Sequence, residues 1–118
     1  MQFEGIYTPI VTPYHDDFSL NAAALAETVE HLIVAGVQGI IVAGTTGEYY
    51  AQPPEERFDL MGRFKTLVGS RLPLIVGTGA IRTEDCVAYA TAAKDISADA
   101  LLVATPPYAY PTGREIAL

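Results

Sequence analysis

The stretch Gly39-Ile40-Ile41-Val42-Ala43-Gly44-Thr45-Thr46-Gly47-Glu48 decides the fold. Its first half is a short apolar run with no polar face. Such runs are strands covered on both sides, as in a parallel sheet. Its second half is a glycine- and threonine-rich loop at the C-terminal end of that strand, the edge where α/β proteins bind ligands. Three further runs of the same kind flank it: Ile6 to Val11, Leu74 to Val76 and Ala100 to Ala104. They recur at intervals of roughly 30 residues, the length of one βα unit.

The segments between the runs are amphipathic. Asn21 is placed to cap a helix whose apolar stripe is Leu25, Val29, Leu32 and Ile33, with Gly36 as a left-handed terminator. A second helix opens at Pro53-Pro54 with Glu55 and Glu56 in its first turn, where acids complement the helix dipole. Its stripe is Leu60, Phe64, Leu67 and Val68. A third opens at Thr83, with Glu84 and Asp85 in its first turn and a small-residue face of Val87, Ala90 and Ala93. Thr112-Gly113-Arg114-Glu115 fits a capping box and announces a fourth helix. Too few residues follow it to Leu118 for a helix stable by itself. The chain is therefore expected to be a piece of a longer protein, the alternative being a frayed C-terminal tail.

Composition narrows the class. Of 118 residues, 50% are hydrophobic and 18% charged, a balance that supports a packed core and excludes a disordered chain. Seven basic against 14 acidic residues give a net charge of −7, which leaves no electrostatic footprint for nucleic acid or an anionic membrane. No run of about 18 apolar residues marks a membrane span. The N-terminus Met1-Gln2-Phe3-Glu4 lacks the pattern of a signal peptide, so a cytoplasmic location is expected. Cys86 is the single cysteine and forms no intrachain disulfide; it reads as a small core residue.

The order βαβαβαβ fits two architectures. One is the N-terminal half of a TIM (β/α)8 barrel, which typically needs about 250 residues. The other is a small doubly wound sheet. In the flavodoxin-like version of that sheet the first loop tends to carry the ligand signal. Here the first loop, Thr12 to Asp17, has no glycine cluster, and the glycine-rich loops follow strands two and three. That favours the barrel. Residues 1–118 are expected to form a single partial domain holding its first four strands and ending at the start of the fourth helix.

Gly44-Thr45-Thr46-Gly47-Glu48 can form a concave anion site from successive backbone N–H groups, with two hydroxyls as added donors. A small carboxylate suits it better than phosphate, because no P-loop lysine follows. The plainer alternative is a tight turn with polar filler. Gly77-Thr78-Gly79-Ala80 offers a weaker site and is more simply a turn whose glycines let helix and sheet approach. In Thr105-Pro106-Pro107-Tyr108-Ala109-Tyr110-Pro111, three prolines hold two phenols at the same edge. There they can relay a proton, plug the sheet end or contact a subunit. His15, beside Asp16 and Asp17, has no second ligand cluster and reads as a solvated turn; His31, beside Glu30, reads as surface.

These motifs resemble the N-terminal half of the dihydrodipicolinate synthase / N-acetylneuraminate lyase family. The matching stretches are Thr8-Pro9-Ile10-Val11-Thr12-Pro13, Gly44-Thr45-Thr46-Gly47-Glu48, Gly77-Thr78-Gly79-Ala80 and Thr105-Pro106-Pro107-Tyr108. They span essentially the whole chain. The resemblance implies a (β/α)8 barrel, a homo-oligomer built from dimers, and a class I lyase or synthase. Such enzymes join a lysine to pyruvate or another 2-keto acid as a Schiff base, with no metal or organic cofactor. It also implies roles. Thr45 and Thr46 would hold the keto-acid carboxylate, and Gly44 and Gly47 would shape its site. Thr45 and Tyr108 would belong to a proton relay, with Tyr108 reaching across a dimer interface. The paired threonines lean toward the dihydrodipicolinate synthases, the runner-up being aldolases or dehydratases of 2-keto-3-deoxy sugar acids or sialate. Two positions depart from the family pattern: Pro107 stands where the synthases commonly have a first tyrosine, and Tyr49-Tyr50 replaces small residues.

The family's Schiff-base lysine lies on the sixth strand and a second relay tyrosine on the fifth, both beyond Leu118. Lys65 and Lys94 are the lysines present, and both fall on helices. Neither has the desolvated position that lowers a lysine pKa for Schiff-base chemistry. Residues 1–118 alone are therefore expected to be inactive and, with unclosed sheet edges, to associate. Two other readings stay open: a non-catalytic half-barrel for binding or assembly, and a split enzyme completed by a second chain.

Overall fold

The computed structural model describes residues 3–106 and 111–116. Its parallel strands are β1 (Tyr7–Pro9), β2 (Gly39–Val42), β3 (Leu74–Gly77) and β4 (Ala100–Leu102), hydrogen-bonded in the order β1-β2-β3-β4. The connections run through α1 (Ala22–Val34), α2 (Pro54–Val68) and α3 (Thr83–Asp95). A short α4 (Gly113–Ile116) follows β4. Because spatial order equals chain order, the sheet has no reversal point, which a doubly wound sheet requires. Parallel crossovers are right-handed, so successive helices fall on one side of the sheet. There α2 packs against both α1 and α3.

The core lies between that helix layer and the sheet. Ile40, Val42, Leu74 and Val76 point into it and are almost wholly buried, against Leu25, Val29, Phe64 and Val68 of α1 and α2. The expected stripes of α1 and α2 are the faces that pack. In α3 the inward residues are Tyr89 and Ala93, whereas Val87 is 59% exposed. The sequence puts Val87 on a small-residue packing face with Ala90 and Ala93, and of these the structure buries Ala93 and turns Val87 outward. Tyr89 is buried instead, with its ring centre 5.3 Å from that of Phe58 on α2. The outer strands also differ from the sequence reading. Strands β2 and β3 are buried, but β1 and β4 are partly exposed, since each described edge has a strand on one side only. Ile6, Leu102 and Val103 are exposed apolar residues beside those edges.

Local chemistry sets the helix ends. Asn21 Oδ1 accepts the Ala24 N–H at 3.0 Å. Gly36 has φ +81°, its N–H bonds to Ile33 O, and the Val37 N–H bonds to Leu32 O, which together form a Schellman terminator. At the end of α3 the same pattern is built on a non-glycine: Ser97 has φ +57°, with Ser97 N–H to Lys94 O and Ala98 N–H to Ala93 O. In the capping box of α4, Glu115 Oε2 accepts the Thr112 N–H at 2.8 Å. These bonds hold the Glu115 carboxyl below its usual pKa.

A left-handed serine carries a steric cost that glycine avoids. Ser97→Gly is expected to stabilise the chain by about 1 kcal/mol, read as a higher urea midpoint with an unchanged slope.

Candidate active site

The loop after β2 is bent at both ends. Ala43 has φ +53° and Glu48 has φ +61°, left-handed conformations that cost non-glycine residues roughly 1–2 kcal/mol each. Between them Thr45–Gly47 make one 3₁₀ turn, and beyond Glu48 Tyr49–Ala51 make a second. The Gly47 N–H closes on Gly44 O and the Glu48 N–H on Thr45 O, both at 3.0 Å. Gly44 and Gly47 are buried, while Thr45 and Thr46 face outward. A Cβ on Gly47 would sit 3.1 Å from Ile10 O, so the loop lies directly on the end of β1.

Two sets of side chains hold this loop, and sequence reading assigned neither. On the β1 side, Gln52 Nε2 donates to Gly47 O at 2.8 Å, with Tyr14 Oη at 3.0 Å and Thr12 Oγ1 at 3.2 Å. Thr12 Oγ1 itself donates to Gly47 O at 2.9 Å, and the Tyr14 hydroxyl donates to Glu56 Oε1. Both hydroxyl protons are thus committed elsewhere, which fixes the amide of Gln52 with its nitrogen toward them. Burial, followed by the hydrogen bond to Glu56, pushes the Tyr14 phenol up to about 12.

On the β3 side, Arg57 is 3% exposed. It donates to Gly79 O at 2.9 Å and to Gly77 O at 3.1 Å. Its guanidinium carbon lies 3.6 Å from the Tyr89 ring centre and 5.0 Å from that of Tyr49. Burial lowers the Arg57 pKa from its ordinary value, and the neighbouring Tyr89 opposes that shift. Gly77 lies so close to the β2 loop that a Cβ there would be 2.2 Å from Ala43 O, and a Cβ on Gly79 would be 3.0 Å from the Tyr49 ring. The loop Gly77-Thr78-Gly79-Ala80 therefore serves as packing and as acceptor for Arg57, the simpler of its two readings.

Gln52 and Arg57 escaped the sequence reading for different reasons. Gln52 stands in a loop of ordinary composition. Arg57 did leave a signal: positions 57, 60, 61, 64 and 68 form one buried stripe on α2, with a cation at its first place. A charged residue on an apolar stripe has to find partners inside the fold.

After these contacts are made, Thr45 and Thr46 keep their hydrogen-bonding groups. Their backbone N–H groups and hydroxyls have no partner among the described residues. The arrangement is a rigid turn with free donors at the C-terminal edge of a parallel sheet. Tyr108 and Tyr110 lie outside the described residues.

The other candidate positions are structural. His15, Asp16 and Asp17 form an exposed turn in which Asp17 Oδ1 accepts from Ser19, which holds its carboxyl below the usual range. His31 is exposed. No group of three or more metal-ligating side chains occurs among the described residues. Cys86, read from the sequence as a small core residue, is only half-buried and lies outside the core cluster, with Sγ 3.8 Å from Ala80 O. Lys65 Nζ donates to Ser97 O at 2.7 Å and lies 3.9 Å from Asp99. Asp99 precedes β4, so Lys65 stands at the N-terminal edge of the sheet, opposite Thr45. No described helix is long and apolar enough to cross a membrane.

The family model described as the dihydrodipicolinate synthetase family matches residues 2–117. The chain is 37% identical over 110 residues to 4-hydroxy-tetrahydrodipicolinate synthase of Limosilactobacillus fermentum, covering 92% of this chain and 35% of that protein. It superposes on the 4-hydroxy-tetrahydrodipicolinate synthase structure from Methylacidiphilum fumariolicum with a TM-score of 0.92 and 30% identity, over 98% of this chain and 38% of that one. It matches YagE of E. coli K12, a prophage protein of the dihydrodipicolinic acid synthase family solved in complex with pyruvate, with a TM-score of 0.92 and 28% identity. That match covers 99% of this chain and 40% of YagE. The chain thus belongs to the dihydrodipicolinate synthetase family. It spans little more than a third of the length of these relatives, and its four βα units correspond to part of their TIM barrels.

The Tyr14 phenol favours its neutral form in the folded state. Its stabilising contribution is present below the ordinary tyrosine pKa and is lost as pH rises through about 12. Titration followed by tyrosinate absorbance is expected to show a late component near 12 that Tyr14→Phe removes.

Proposed function

We propose that residues 1–118 carry the keto-acid carboxylate site of a 4-hydroxy-tetrahydrodipicolinate synthase-like lyase. In this reading the substrate is pyruvate or a related 2-keto acid. A lysine outside these residues forms the Schiff base. The observation that carries the reading is the outward pair Thr45 and Thr46, whose amides and hydroxyls stay unpaired while the neighbouring polar groups of the loop are consumed by internal bonds. The pyruvate bound to YagE supports the substrate class.

The chemistry follows from the donors. A planar carboxylate accepts from the Thr45 and Thr46 N–H groups and hydroxyls, which orients the adjacent keto carbon toward the barrel interior. Fixing that geometry before reaction removes an entropic cost from the bond-forming step. The Thr45 hydroxyl then passes a proton between the keto-acid adduct and Tyr108, a transfer that typically contributes about 10²–10⁴-fold in rate. Lys65 cannot serve as the Schiff-base amine, because its ammonium is tied to Ser97 O and faces Asp99 at the other edge of the sheet. Residues 1–118 alone are accordingly inactive. The exposed apolar residues beside β1 and β4 are covered by further βα units or by another subunit.

Two measurements test this. The protein from its native source is incubated with pyruvate, reduced with borohydride and mapped by peptide mass. The expected adduct lies on a lysine outside residues 1–118, with Lys65 and Lys94 unmodified. An adduct on either of those two, or none anywhere, overturns the reading. In the same protein, Thr45→Val is expected to lower kcat about 10²-fold or more with the fold intact by circular dichroism.

A further inference from the structure

We propose that Arg57 is a positioning residue that sets the Thr45-Thr46 turn through Tyr49 and the β3 loop. The inference deepens the proposed function and rests on it only for what the turn binds.

Arg57 lies in the first turns of α2, directly after the loop that contains Thr45 and Thr46. Its side chain turns back under that loop. One guanidinium nitrogen donates to Gly79 O and another to Gly77 O, so a single rigid fork spans the β3 turn. Its guanidinium carbon also lies over the rings of Tyr49, in the 3₁₀ turn that follows Glu48, and Tyr89 on α3. Gly77 in turn packs against Ala43 O and Gly44 N. The contacts close a ring: Arg57 to Gly77, Gly77 to Ala43 and Gly44, the loop to Tyr49, and Tyr49 back to Arg57. The N–H groups and hydroxyls of Thr45 and Thr46 are the part of that ring with no partner among the described residues.

The charge distribution supports the same role. A cation this deeply buried is normally matched by a carboxylate. Among the described residues no carboxylate is paired with Arg57; two carbonyls and two aromatic rings share its charge, and its buried Nε has no partner. A neutral residue of similar length could fill the volume. It could not join both carbonyls to the Tyr49 ring. The left-handed Ala43 and Glu48 need such an external tie, because a strained conformation persists only where the surroundings over-determine it.

The test compares Arg57→Met, Arg57→Lys and Tyr49→Leu with the parent, each in the whole protein as its native source makes it, by amide hydrogen exchange and pyruvate titration. Arg57→Met is expected to speed exchange at Gly47 and Glu48 about tenfold or more, with the sheet amides of Ile40 and Val76 unchanged. Arg57→Lys keeps the charge but loses the fork, and falls between. Tyr49→Leu reproduces the local effect with Arg57 present, and decides the matter if Arg57→Met does not fold. Uniform acceleration across sheet and loop in the folded variants, or none at the loop, overturns the proposal by giving Arg57 a general structural role or no role. Pyruvate, followed at the Thr45 and Thr46 amide signals, is expected to bind the Arg57→Met and Tyr49→Leu chains about tenfold more weakly than the parent. Undiminished binding in variants with a loosened turn also overturns it. If the parent protein binds no pyruvate, the carboxylate reading fails, while the exchange pattern still decides whether Arg57 sets the turn.

Discussion

The close approach of β3 to the end of β2 is the constraint on which the rest of the site depends. Gly77 presses its α-carbon against the Ala43 carbonyl, leaving no room for even a methyl group. That contact brings the β2 and β3 loops together. It also places the carbonyls of Gly77 and Gly79 where one arginine from α2 reaches both. Without it the two glycine-rich loops would be separate turns at the end of a sheet. With it they form one body, and the left-handed residues that bend the β2 loop have something to be held against.

The site is organised by which polar groups are spent. Thr12, Tyr14, Gln52 and Glu56 use one another and the Gly47 carbonyl. Arg57 uses the β3 turn and two rings. Buried donors and acceptors are costly to leave unpaired, and these groups pair with one another on both sides of the loop except at Gln52 Oε1 and Arg57 Nε, which are buried with no partner among the described residues. The threonines at its crest do not take part. Their exposure removes that cost, since water can serve groups that face outward. Under the proposed function these are the donors that a keto-acid carboxylate takes up.

Much of this was legible in the chain. Three helices and four strands stand where the apolar runs and capping residues put them, because those signals are local: Asn21 caps its own helix and Gly36 ends it. Two expectations about faces needed correction. Val87 is solvent-facing because Tyr89, two residues on, fills the space against α2. The outer strands are less covered than their apolar sequences suggested, because an apolar run reports what a strand can bury and not what lies beside it. Of the site, the turn that exposes Thr45 and Thr46 could be read from glycine spacing, and the Arg57 brace could not.

What the sequence alone determined is the alternation of strands and helices, their ends and the character of the glycine-rich loops. Each depends on periodicity and backbone preference within a few residues. The motifs also pointed to the family. Only the tertiary structure decided which groups meet. Arg57 and Gly79 are 22 positions apart, and Tyr14 and Glu56 are 42 apart. No local preference encodes such pairs. They arise because a parallel sheet in chain order delivers each loop to the same edge, where a buried charge or hydroxyl must find its partner on a neighbouring unit.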